Sequence, residues 1–179
     1  MTSLRTVRSA DLAPHEWSEL TDLCESAFAE SWDGYWESIG PGVHVLAEQP
    51  ERGIVAHAAI VERLLYTADR TLRTGYVEAV AVLPDSQRTG LGTTVMEVID
   101  EMVDAGYELG ALGTGSQPFY HRLGWVDWRG TAWIRHPDGR LERSVADEGS
   151  IMVRMTPTSP PGLDVDQPIA VDWRPGEVW

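Results

Sequence analysis

The run Val80-Ala81-Val82-Leu83-Pro84-Asp85-Ser86-Gln87-Arg88-Thr89-Gly90-Leu91-Gly92 carries the first residues whose types and spacing point to chemistry. A β-type run ends, a turn follows, and Gln-x-x-Gly-x-Gly opens a segment with Leu91, Val95, Val98/Ile99 and Met102 at helical spacing. Backbone N–H groups at a helix N-terminus lack intrahelical acceptors and sit at the positive end of the helix dipole. Glycines at 90 and 92 let a backbone approach an anion closely, and Arg88 can add a charge-assisted contact. Such a nest suits a pyrophosphate. It is not a P-loop, which needs Gly-Lys-[Ser/Thr], and it lacks the third glycine of the dinucleotide fingerprint.

Glu78 stands just upstream. Tyr76, Glu78, Val80 and Val82 alternate with Val77, Ala79 and Ala81, giving two largely apolar faces and predicting a strand covered on both sides. A carboxylate there is costly unless paired or functional. An ion pair with an arginine such as Arg73 and a role in catalysis are equally open on the residues alone. Cys24 falls on the apolar face of a helix and reads as packing rather than as a nucleophile.

The elements that must hold these residues are legible in outline. Leu4 to Arg8 alternates like a strand, and Pro14 opens a helix with Trp17, Leu20, Leu23/Cys24 and Ala27/Phe28 on one side. Residues 30 to 41 read as a loop or short helix with exposed aromatics Trp32, Tyr35 and Trp36. Strands are predicted at 44–48, 54–66 and 73–82, joined as an antiparallel meander. Gly106 is expected as a left-handed cap ending the helix that begins near 91. A strand at 107–112 should lie parallel to 73–82, across a strand–helix–strand crossover. A short helix at 118–123, strands at 125–135, 140–141 and 151–155, and a turn at Pro137-Asp138-Gly139 complete the body. Residues 156–168 look linker-like, while the tail 169–179, with two tryptophans, is expected to dock back on a single domain spanning 1–179.

A chain of 179 residues is long enough for one such domain, and its composition is that of a globular protein. The net charge of -14, from 14 Lys+Arg against 28 Asp+Glu, argues against a nucleic-acid partner and is compatible with a cationic one. One cysteine makes no internal disulfide, Arg5 and Arg8 are not followed by the apolar run of a signal peptide, and no stretch is long enough to cross a bilayer. A cytoplasmic protein without membrane partners is the expectation.

The order of elements and Gln87-x-x-Gly90-x-Gly92 resemble the GNAT acetyltransferases. Gly75-Tyr76-Val77-Glu78-Ala79-Val80-Ala81-Val82, Tyr107-x-Leu109-Gly110-Ala111-Leu112, Tyr120-x-x-x-Gly124-Trp125 and Asp172-Trp173-Arg174-Pro175-Gly176-Glu177-Val178-Trp179 are similar, more narrowly, to the aminoglycoside 2'-N-acetyltransferases. The C-terminal octapeptide is the most specific, since a generic GNAT protein has no reason to end that way.

The resemblance implies an α+β, GNAT acyl-CoA N-acyltransferase fold with a mixed, mostly antiparallel central sheet flanked by helices. It also implies acetyl-CoA as co-substrate, no metal ion, and a homodimer. Val80, Ala81 and Val82 would lie along the pantetheine arm, and Gln87, Arg88, Thr89, Gly90, Leu91, Gly92 and Thr93 would hold the pyrophosphate. Glu78 becomes the candidate base, through a water, for a substrate ammonium, and the Ala79 carbonyl could orient the amine. Tyr120 becomes the candidate acid for the departing thiolate, against its reading as a core tyrosine.

Asp147, Glu148 and the Trp179 carboxylate would cradle a polycationic aminoglycoside, although turn acids and a free terminus are usually just solvated. Two loops depart from the family. Ser31 stands where acidic ligands are expected, with Asp33 and Tyr35 nearby. Gly113 stands where a substrate-contacting serine is expected, in a loop about two residues short. These departures favour a smaller acceptor of the kasugamycin type. Acetylation of another amine, such as a peptide or polyamine, and a non-catalytic coenzyme- or antibiotic-binding module are the competing readings.

Overall fold

A computed structural model describes residues 1–68 and 70–179. Ten strands and four α-helices follow in the order β1 (Ser3–Arg8), α1 (Pro14–Phe28), α2 (Tyr35–Ile39), β2 (Gly42–Gln49), β3 (Gly53–Thr67), β4 (Arg70–Val82), α3 (Leu91–Gly106), β5 (Leu109–Gly113), α4 (Gln117–His121), β6 (Val126–Asp127), β7 (Ala132–Arg135), β8 (Leu141–Arg143), β9 (Ile151–Met155) and β10 (Ile169–Asp172). They fall into two compact units, residues 1–61 with 77–101 and residues 62–76 with 102–179, so β3, β4 and α3 each contribute to both.

In the first unit β1, β2 and the first part of β3 pair antiparallel in sequence. Pro14 begins α1 at a position whose missing N–H costs nothing. Glu16 reaches back to accept from the Ala13 N–H at 2.7 Å, half of a capping box. The helix buries Leu20, Leu23 and Cys24 in a core with Leu46, Ile54, Ala81 and Trp32. Each large apolar side chain so buried contributes about 1.5–3 kcal/mol. Trp32 is only 5% exposed, which corrects the expectation of an exposed aromatic loop. It packs against Phe28, Tyr35 and Trp36, and Glu25 accepts from its backbone N–H.

In the second unit β5 runs parallel to β4 at Thr74–Tyr76 and antiparallel to β9, as the crossover through α3 requires. β10 lies between β3, antiparallel, and β7, parallel. Residues 156–168 are pinned: Thr156 donates to the Tyr107 carbonyl at 2.8 Å and Ser159 to that of Glu108 at 2.6 Å. The strand expected over 125–135 is two strands: the Trp128 N–H still reaches the Ile151 carbonyl of β9 at 2.9 Å, while the N–H groups of Arg129 and Gly130 turn to the Val165 carbonyl at 2.8 and 3.0 Å. The Trp128 indole donates to the Gln167 carbonyl at 2.8 Å, and a Cβ at Gly130 would sit 1.8 Å from that same oxygen. Gly106 is the last residue of α3 without a positive φ; the Tyr107 N–H extends the helical pattern to Val103. No described helix is long and apolar enough to cross a membrane.

Candidate active site

Glu78 lies in the part of β4 belonging to the first unit and is 6% exposed. Tyr35, in the first turn of α2, donates its phenol to Glu78 Oε2 at 2.9 Å. Arg73, the alternative partner, pairs with Glu62 and donates to the Gly106 carbonyl. Of the three early-loop residues singled out, Tyr35 is therefore the one brought to the carboxylate. Ser31 and Asp33 are exposed, joined by the Asp33 N–H donating to Ser31 Oγ at 3.3 Å.

Ala79 departs from strand geometry. Its φ of 53° is left-handed, a conformation that costs a non-glycine residue roughly 1–2 kcal/mol. Its carbonyl accepts from His57 Nδ1 at 2.7 Å, so the atom expected to orient a substrate amine already has a buried donor on one lone pair.

Beyond Val80, Ala81 and Val82 the strand gives way to the turn Pro84–Ser86, with the Leu83 N–H held by the Val55 carbonyl at 3.0 Å. Arg52 grips Asp85 with two hydrogen bonds of 2.6 and 2.8 Å and donates to Ser86 Oγ at 2.7 Å. Asp85 is held below its ordinary carboxylate range, first by that guanidinium and then by Ser86. Nothing local in the sequence marks Arg52 for this role, because its partner lies 33 residues on.

The loop itself is exposed from Gln87 to Gly90, with Arg88 at φ 60° and Gly90 at φ 94°. Gln87 Nε2 ties back to the Val82 carbonyl at 3.3 Å and Thr89 Oγ1 to that of Ser86 at 2.6 Å. Alternating left-handed residues before a helix turn successive N–H groups toward one side, the geometry of an anion nest. Leu91, Gly92 and Thr93 form the first turn of α3, whose leading N–H groups complete it. Arg88 makes no ion pair among the described residues, leaving its charge for a ligand. These features fit a diphosphate.

In the second unit, Tyr120 lies in α4 and is 7% exposed. Burial pushes its phenol up to about 12, which keeps it protonated near neutrality. The C-terminal tail is fastened by arginines. Arg63 donates to the carbonyls of Val178 and Asp172, and Arg174 to that of Glu177. Trp179 is 7% exposed, and its carboxyl carbon would lie 3.4 Å from a Cβ placed on Gly113. That is ordinary van der Waals contact, so the main chain of Trp179 lies against Gly113 without excluding a side-chain carbon there.

The turn acids differ from one another. Glu148 is bridged by Arg143 at 2.8 and 3.0 Å, and that contact lowers its pKa. Asp147 instead shapes its own turn, accepting from Ser144 Oγ while its backbone carbonyl accepts from Ser150. A cation approaching Glu148 would have to compete with Arg143.

Residues 8–126 match the family described as the acetyltransferase (GNAT) domain. The chain belongs to the GNAT acetyltransferases. Within them it groups with the aminoglycoside 2'-N-acetyltransferases: it is 33% identical over 178 residues to the protein of that name from Mycolicibacterium fortuitum, across 98% of this chain and 91% of the relative. The fold of this acetyltransferase also resembles that of a GNAT family N-acetyltransferase (YhbS) from Escherichia coli, crystallised in complex with CoA. There the TM-score is 0.66 at 15% identity, over 95% of this chain and 89% of that one. A GCN5-related N-acetyltransferase from Kribbella flavida matches with a TM-score of 0.56 at 19% identity, over 72% of this acetyltransferase. The match spans 35% of that longer chain.

Proposed function

We propose that this acetyltransferase transfers the acetyl group of acetyl-CoA to the 2'-amine of an aminoglycoside, by direct attack of the amine on the thioester. The observation that carries the reading is the order along one strand and loop: a buried carboxylate at Glu78, a left-handed kink at Ala79, then the exposed loop 87–90 leading into the first turn of α3 at 91–93. Acetyl-CoA supplies the activated acetyl group. The N–H groups of 88–93 and the Arg88 guanidinium would bind its diphosphate, and the backbone of 80–82 would run along its pantetheine arm.

An alkylammonium is mostly protonated near neutrality, so the amine must lose a proton before it attacks. Glu78, oriented by Tyr35, takes that proton directly or through a water. Tyr120, kept protonated by burial, supplies a proton to the departing sulfur. Its high pKa makes a free-standing transfer to a thiolate uphill, so the proton moves as the carbon–sulfur bond breaks. Cys24 stays out of the chemistry: it is fully buried, and burial pushes its thiol well above the usual range.

Gly113, Asp147 and the Trp179 carboxylate are the acceptor contacts that the family resemblance assigns, in a cytoplasmic homodimer. The Arg143 bridge leaves Glu148 poorly placed to hold a further cation. Together with the exposed Ser31 in place of a carboxylate, this supports an acceptor with fewer ammonium groups, kasugamycin being one. The test is thiol release from acetyl-CoA over a panel of 2'-amino, 2'-hydroxy and kasugamycin-type compounds, with peptides and polyamines as controls. Turnover confined to 2'-amino or kasugamycin-type compounds is expected. Turnover of 2'-hydroxy compounds or polyamines at similar kcat/KM would transfer the reading to a general amine acetyltransferase, and no thiol release with any acceptor would leave a binding module.

A further inference from the structure

His44 and His57 belong to no step above, yet they form one buried line that ends on the backbone beside Glu78. The β2–β3 register sets His44 opposite Ala59 and His57 opposite Leu46, so the two rings are diagonal neighbours on one face. His57 is 0% and His44 1% exposed, with Trp36 edge-on to the first and Trp17 edge-on to the second. Ser9 Oγ lies 2.9 Å from His44 Nε2, His44 Nδ1 lies 2.9 Å from His57 Nε2, and His57 Nδ1 lies 2.7 Å from the Ala79 carbonyl.

The last contact fixes every proton. A carbonyl has none to give, so His57 Nδ1 carries one and donates it. In the neutral ring Nε2 is then an acceptor, so His44 Nδ1–H donates to it. The Ser9 hydroxyl has two acceptors in reach, His44 Nε2 at 2.9 Å and the Gly42 carbonyl at 3.2 Å, and the shorter contact to the otherwise unsatisfied ring nitrogen takes its proton, while its oxygen accepts from the Gly42 N–H at 2.8 Å. Burial lowers the pKa of both rings and holds them neutral. The line cannot be a proton relay, because it ends on an amide oxygen. It is an orienting device, and what it orients is the one left-handed residue of β4. Across the trans peptide the Val80 N–H points opposite to the carbonyl that His57 grips.

We propose that His57 is a positioning residue for the acetyl transfer. Its Nδ1–H, backed by His44 and Ser9, holds Ala79 in the left-handed conformation and so sets the directions of the Glu78 carboxylate and the Val80 amide. The kinetic arm of the test rests on the acetyl-transfer reading; the conformational arm does not.

His57→Phe keeps a ring and loses the donor. Its kcat is expected to fall about 10- to 100-fold, the scale of an ångström-sized misplacement, with CoA affinity changed less than about threefold. In the double variant His57→Phe/Ala79→Gly, glycine adopts positive φ without the external hold, and at least about fivefold of the loss should return. The backbone carbon shifts of Ala79 in NMR should move from left-handed toward extended values in His57→Phe. Should that variant not fold, His57→Asn and His57→Gln decide: the asparagine amide reaches the Nδ1 position and the glutamine amide the Nε2 position, so asparagine should retain about tenfold more activity. Unchanged Ala79 shifts in His57→Phe, no recovery with Ala79→Gly, or equal asparagine and glutamine variants would overturn the proposal. If the wild-type protein transfers no acetyl group, the acetyl-transfer reading fails, and the Ala79 shifts still decide whether His57 sets the backbone.

Discussion

The carboxylate of Glu78 takes its working geometry from Tyr35, whose phenol is 2.9 Å away on a five-residue helix. A hydrogen bond to a charged group is worth about 1.5–3 kcal/mol, so Tyr35→Phe is expected to lower kcat/KM by about 10- to 100-fold. Removing the proposed base outright in Glu78→Gln should cost about 10²- to 10⁴-fold. If Tyr35→Phe proved as damaging as Glu78→Gln, the phenol itself would be a reacting group. Tyr120→Phe keeps the buried ring and its edge contact to Phe119 and removes only the proton donor. Its kcat should fall by about 10²-fold or more with stability little changed. Wild-type turnover in a correctly folded variant would take Tyr120 out of the reaction.

At the scale of elements, the anion loop is a short segment whose shape is imposed from one end and from within. Arg52 clamps the turn before it, and glycine conformation shapes its middle. Asp85 is largely exposed, so the ion pair adds little to global stability, as exposed pairs generally do. Arg52→Ala should instead loosen the loop and raise the KM for acetyl-CoA by about three- to tenfold. Gly90→Ala meets no atom within 4 Å, so any loss there is conformational, from a φ of 94°. It should raise the same KM about tenfold while leaving acceptor KM unchanged, as initial-rate kinetics with either substrate varied would report.

Such elements differ in how far they can be read from the chain. The strand–loop–helix over 78–106 was legible because its signals are local: an apolar run, a turn, two glycines and an apolar period. The parallel placement of β5 followed from the same crossover. The break after Trp128 was not legible, since it follows from the Val165 and Gln167 carbonyls nearly forty residues on. Nor was the burial of Trp32, which an exposed-loop composition concealed, or the pairing of His44 with His57, which exists only once β2 and β3 are in register. The acceptor residues behave the same way. Tyr35 bonds Glu78 and Glu148 bonds Arg143, two pairings that no local pattern gave reason to expect.

For the molecule as a whole, the buried histidine pair should control how stability responds to mild acid. His44 is lowered to about 4 and His57 to about 3 by burial, each from 6.5, with His44 further opposing the charge on His57. Below pH 6.5 the unfolded chain takes up protons on these rings and the folded chain does not. Stability therefore falls as pH falls, from about 6.5 down through about 4, and is complete above 6.5. Between pH 6.5 and 5 the carboxylates remain mostly ionised in both states. Asp85, Glu148 and the other carboxylates with lowered pKa add their loss only below that window. His44 alone should cost about 2 kcal/mol across it, and His57 adds in the same direction. The overall charge of -14 acts oppositely, since protonating surface acids relieves repulsion, but that relief also arrives below pH 5. Urea midpoints measured at half-unit steps should thus drop steadily between pH 6.5 and 5 in the wild-type protein. A folded His44→Gln/His57→Asn variant has lost both buried rings and keeps only His15, His121 and His136, none of them buried, so it should give a much flatter profile over the same range. Equal slopes for the two proteins would mean that the pair already shares its protons with solvent in the folded state.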